Sequence, residues 1–68
     1  MIDIKRVLND KGYKLKYAAK VIFPDTVYSD QKMTRAAQGV QELTESEIRR
    51  LSEFTGVSVD DLFNKFQK

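Results

Sequence analysis

The sequence predicts an all-α fold, a compact orthogonal bundle of about five short helices. Three observations carry this reading. Apolar residues recur three or four apart in five separate stretches, the spacing that puts them on one face of a helix. Gly12, Gly39, Gly56 and Pro24 stand where those stretches stop. No stretch alternates apolar and polar residues as a half-buried strand does, so helix packed on helix is the architecture left.

Each helix has its own signal. Ile4, Val7 and Leu8 place the first at about residues 2–11, and Gly12 ends it in the left-handed conformation. Leu15, Ala18, Ala19 and Ile22 mark the second, which Pro24 stops because a proline pushes the residue before it out of helical geometry. Residues 24–28 form a loop. Ser29 is the expected N-cap of a third helix reaching residue 38, with Met33, Ala36 and Ala37 inward and Gly39 as its stop. Thr44-Glu45-Ser46-Glu47 is a capping box, in which hydroxyl and carboxylate satisfy each other's backbone donors. Ile48, Leu51 and Phe54 follow on one face of this fourth helix, and Gly56 ends it. Ser58 caps the fifth, with Asp60 and Asp61 in the first turn to complement its dipole. Its apolar face is Val59, Leu62, Phe63 and Phe66. Phe63 is expected in the core; Phe66 either closes the core or forms a seam with a second copy.

Composition excludes several classes. The 68 residues make one domain, 1–68, with no room for both a reader and a separate sensor. The chain has no cysteine and no histidine, so it lacks a thiolate nucleophile, a disulfide and the commonest zinc ligand. Its glycines all stand at helix ends, so none forms a phosphate-binding loop. Asp60 and Asp61 are dipole partners rather than an acid/base pair, and Glu42, Glu45 and Glu47 lack the ligand spacing of a calcium loop. No catalytic residue, metal, cofactor or small-molecule ligand is therefore expected, and the chain does not read as an enzyme. Apolar runs reach only Val21-Ile22-Phe23, so neither a membrane span nor a signal peptide is expected, and a cytoplasmic location follows.

Charge is unevenly divided. Net charge is only +2, yet residues 1–38 carry eight Lys/Arg against four acids, while 39–68 carry four against six. A basic part beside an acidic part is an electrostatic footprint that suits a polyanion. The third helix sharpens this. At 100° per residue, Gln31, Thr34, Arg35 and Gln38 point outward with Lys32 on the flank. Arginine and glutamine are shaped for bidentate contact with guanine and adenine edges in the major groove. Lys32 falls at the third position after the expected cap, where the dipole disfavours a cation by about 0.3–1 kcal/mol. A phosphate partner would account for it. Asp30 repels phosphate unless it accepts from cytosine. Tyr13, Tyr17 and Tyr28 can pack and still donate to a phosphate.

At this point the chain resembles a family. Gly12-Tyr13-Lys14-Leu15-Lys16-Tyr17-Ala18-Ala19 looks like the end of the first helix and the start of the second in the phage repressor and Cro type of domain, the lambda repressor-like helix-turn-helix. Residues 29–39 resemble its recognition helix and closing glycine, and residues 44–63 its last two helices. The likeness covers nearly the whole chain. The segment from Ala19 to Ser29 is about four residues longer than the family's turn, and Leu15 and Ala37 replace its frequent glutamine and glutamate. The resemblance implies double-stranded DNA binding with helix 29–38 in the major groove. Base contacts fall to Asp30, Gln31, Thr34 and Arg35, and phosphate contacts to Lys14, Lys16, Lys32 and the stretch after Gly39. A small transcriptional regulator is then expected, and because one copy of so small a reader makes few contacts, a homodimer with it, with Phe66 a candidate dimer contact. The alternative is a protein-interaction module that keeps the fold without binding DNA.

Overall fold

All five predicted helices form, and the residues beside them set their ends. A computed structural model describes residues 2–67, with α1 (Ile4–Lys11), α2 (Leu15–Ile22), α3 (Ser29–Ala37), α4 (Glu45–Thr55) and α5 (Val59–Asn64) in chain order. The first helix starts at Ile4 rather than Ile2 because the Asp3 carboxylate accepts from Arg6 N at 3.3 Å and acts as the N-cap. Ile2 is occupied elsewhere, in an isolated antiparallel bridge to Gln67. Beside it, Asp3 N donates to Phe66 O at 2.6 Å, so the two ends of the described chain are tied together.

The capping box of α4 is complete. Glu47 N donates to Thr44 Oγ1 at 3.3 Å and Thr44 N donates to Glu47 Oε1 at 2.8 Å. Gly56, at φ 76°, then ends the helix with nothing within 4 Å of the place a Cβ would take. Its requirement for glycine is therefore conformational rather than steric. The Ser52 hydroxyl donates to Val57 O at 2.6 Å and the buried Thr55 hydroxyl donates to Leu51 O at 2.8 Å, which fixes the turn into α5. Ser58 caps α5 by accepting from Asp61 N.

Two boundaries differ from expectation at α3. Its N-cap is Tyr28, not Ser29, and no side chain caps it. The Tyr28 N–H is already held by Thr26 Oγ1 at 3.1 Å, and the Tyr28 carbonyl accepts from Lys32 N at 3.0 Å, so helical bonding begins one residue early. The helix ends at Ala37, with Gln38 as C-cap and Gly39 at φ 80° beyond it.

The core draws on every helix. Val7 and Leu8 of α1, Ile22 of α2, Met33 of α3, Leu51 of α4 and Leu62 of α5 are fully buried. α2 packs against α1, α3 and α4, and most extensively against α3. Small side chains make that closeness attainable, since Ala18, Ala19 and Ala36 are all buried. Phe23 is buried too and anchors the corner between α2 and α3. The Cα radius of gyration, 10.5 Å, matches the roughly 11 Å expected for a folded domain of this length.

Of the two phenylalanines at the C-terminal end, Phe63 departs from its expected place in the core, while Phe66 takes the first of its two expected roles. Phe63 is 40% exposed, because the short α5 turns only Leu62 fully inward. Phe66 packs against the core, with the Arg6 guanidinium 5.3 Å from its ring centroid. Among the described residues, no helix is long and apolar enough to cross a membrane.

α2 and α4 are joined by a polar tie. Arg50 Nη1 donates to Ile22 O at 3.1 Å in a part-buried setting. Arg50→Ala is expected to cost roughly 1.5–3 kcal/mol, the range for a charged hydrogen bond. Urea unfolding measures this, and Gly56→Ala is expected to lose about 1–2 kcal/mol in the same assay.

Candidate functional site

α3 has a polar outer face that the fold does not use. Asp30, Gln31, Thr34, Arg35 and Gln38 are exposed and together line one open depression. Among the described residues, the side chains of Asp30, Gln31, Arg35 and Gln38 make no hydrogen bond or ion pair. Thr34 differs, because its hydroxyl donates to Asp30 O at 2.8 Å. Its methyl group and its acceptor lone pairs remain for a partner.

The packing of α2 on α3 brings lysines to this face. Lys16 borders a depression with Leu15, Asp30, Met33 and Thr34. Lys5 of α1 borders another with Leu15, Thr34, Ala37 and Gln38. Lys5 was not singled out from the sequence, and only the tertiary placement of α1 against α3 reveals it. Lys14 is the N-cap residue of α2, with extended backbone geometry and no side-chain cap bond. Tyr17 and Tyr28 are 67% and 60% exposed, while Tyr13 packs its ring 4.5 Å from that of Phe54.

Lys32 is placed differently from the other cations. It is half-buried, and its Nζ lies 5.9 Å from the centroid of the Phe23 ring. With Tyr28 as the cap, it is the fourth residue of α3 rather than the third after a serine cap. The ring therefore supplies a reason for the lysine that needs no phosphate, and the dipole argument drawn from its position falls away.

The distribution of unpaired charge is sharper than the net charge suggests. Among the described residues, the ion pairs are Arg49–Glu45 at 3.1 Å and Lys65–Asp61 at 3.7 Å, both within the acidic part. Arg50 is taken by the Ile22 carbonyl, Arg6 by the Phe66 ring and Lys32 by Phe23. Among the described residues, the cations left without an acid or ring partner are Lys5, Lys11, Lys14, Lys16, Lys20 and Arg35, all in the first three helices or, for Lys14, at the N-cap of α2. Surface cations held apart from acids cost the fold little and leave a positive field in place.

A second concavity lies away from this face. Ile2, Ile4, Ala36, Leu43, Ile48 and Phe63 line a mostly apolar groove of about 210 Å³, together with Gln41 and Glu42. Among the described residues, no group of three or more His, Cys, Asp or Glu side chains could hold a metal ion.

Comparison of the chain with protein-family models, curated proteins and solved structures finds no match. Its function is therefore argued from the arrangement of its own residues.

Because the outer face of α3 takes no part in packing, the double variant Gln31→Ala/Arg35→Ala is expected to keep its stability within about 0.5 kcal/mol. A thermal or urea melt checks this. A larger loss would mean that these side chains hold the fold together.

Proposed function

We propose that the protein is a sequence-specific binder of double-stranded DNA, a small transcriptional regulator that lays α3 in the major groove. One observation carries the reading. A row of exposed side chains suited to base edges, unsatisfied within the fold, stands beside lysines that have no acid partner. The resemblance to the phage repressor and Cro type of helix-turn-helix agrees with it.

The chemistry follows from side-chain shape. Arg35 has the planar fork for the two acceptors of guanine, and Gln31 can pair with adenine. Asp30 can accept only from an amino group such as that of cytosine, and this also removes its repulsion of the backbone. Thr34 offers its methyl group and an acceptor. Lys14 and Lys16 bind phosphates and fix the register, with Lys32 as the third candidate. Lys5 joins them from α1. One copy presents few base contacts, so two copies on a two-fold site are expected for useful affinity. Phe66 is engaged within its own chain, which makes it a poor seam between copies.

Fluorescence anisotropy with a labelled duplex over a salt series tests this directly. Phosphate contacts from Lys5, Lys14 and Lys16 predict a slope of log affinity against log salt of about −3, and a contact from Lys32 would steepen it to about −4. Lys14→Glu/Lys16→Glu should flatten that slope by about two and weaken binding to every sequence. Gln31→Ala/Arg35→Ala should instead erase sequence preference and leave non-specific binding. Folded protein that binds no duplex at low salt would sink the reading. The groove beside Phe63 favours the other reading, a protein-interaction module, and that result would support it.

A further inference from the structure

We propose that α3 lies lengthwise in the major groove, and that Gln38, at its C-terminal end, reads an adenine beside the guanine taken by Arg35. This deepens the DNA reading of α3 and rests on it.

A recognition helix meets base edges in one of two ways. Entering the groove by its end, it uses chiefly its N-terminal residues. Lying along the groove, it uses positions i, i+3, i+4 and i+7, which share one face. On α3 those four positions are Gln31, Thr34, Arg35 and Gln38, all exposed. Gln38 belongs to the helical row. Its backbone keeps right-handed helical geometry, at φ −80° and ψ −8°, and its N–H donates to Thr34 O at 3.0 Å. It lines the same open depression as Gln31, Thr34 and Arg35. Its side-chain amide makes no hydrogen bond among the described residues. From Gln31 to Gln38 the helix rises about 10 Å. At about 3.4 Å per base pair, the row reaches over roughly three base-pair steps.

The lysines follow the same line. Lys16 of α2 borders a depression with Asp30 and Thr34, beside the first half of α3. Lys5 of α1 borders one with Thr34 and Gln38, beside the last half. Neither lysine has an acid partner among the described residues. Phosphate contacts set the orientation of a helix on the duplex. Anchors at one end only would leave α3 free to stand on its N-terminus, whereas anchors beside both halves hold it along the groove. Gln38 then faces base edges. Its amide offers one donor and one acceptor, the pair that matches the N7 and amino group of adenine. Gln31 offers the same pair from the other end, so the half-site holds a guanine between two adenines.

The test selects binding sites from random duplexes with the unaltered protein and with Gln31→Ala, Arg35→Ala and Gln38→Ala in parallel. The exposure of these residues predicts that all fold normally, and a melt confirms this first. Gln38→Ala should select the same site with one adenine no longer preferred. That adenine should lie across the Arg35 guanine from the position that Gln31→Ala relaxes. Changing it to another base pair should weaken the unaltered protein about tenfold and leave Gln38→Ala unaffected. If Gln38→Ala keeps every preference of the unaltered protein, Gln38 reads no base and the inference is overturned while DNA binding stands. Weaker binding to every sequence alike is included there, since it marks a phosphate contact. A relaxed position that is not an adenine, or that lies on the Gln31 side of the guanine, overturns it as well. If the folded unaltered protein selects no site, the sequence-specific reading itself fails and takes the inference with it.

Discussion

The hydrogen bond from Arg50 to the Ile22 carbonyl sets the position of α2, and the rest of the structure depends on where α2 lies. The need for it begins with Pro24. A proline has no N–H to return to the end of the preceding helix, and it forces Phe23 out of helical geometry, here to φ −121° and ψ 63°. The last carbonyls of α2 must then find donors elsewhere. Phe23 N serves Ala19, and Arg50, arriving from α4 across 28 residues of sequence, serves Ile22. The guanidinium also brings positive charge to the negative end of the helix dipole. One side chain thus completes α2 and fixes its distance from α4.

With α2 held, the small residues decide how close α3 comes. Ala18, Ala19 and Ala36 let the two helices approach, while Met33 and Ile22 fill the space between them and the other helices. A close helix pair has a consequence at the surface. It carries the first turn of α2, with Leu15 and Lys16, beside the middle of α3 and leaves the polar face of α3 outside. Among the described residues, no ion pair joins the positive residues of that region to the acids of α4 and α5, where Glu45 pairs with Arg49 and Asp61 with Lys65. Charge, shape and unsatisfied polar groups therefore coincide at one place, and the proposed DNA contact rests on that coincidence.

Much of this was legible in the sequence, and the reasons are local. Caps and helix-ending glycines act over three or four residues, so the Thr44 box, the Ser58 cap and Gly12 could be read directly. The outward residues of α3 follow from helical period alone. What escaped depended on contacts distant in sequence. The bond from Thr26 to Tyr28 moved the start of α3, and the Phe23 ring gave Lys32 a neighbour that no spacing suggests. Pairing of Ile2 with Gln67 drew Phe66 inward and left Phe63 outside. Lys5 reached the edge of α3 only through the packing of α1.

In the proposed function, the outer face of α3, with the start of α2, is where the protein meets duplex DNA. Titrating a ¹⁵N-labelled sample with a short duplex at low salt, followed by amide chemical shifts, tests it most directly. The shifted amides are expected to cluster at residues 14–16 and 29–38, with those around Leu43 and Phe63 unmoved. Shifts gathered instead along the groove at Ile4, Leu43, Ile48 and Phe63, or no shifts at all, would contradict it.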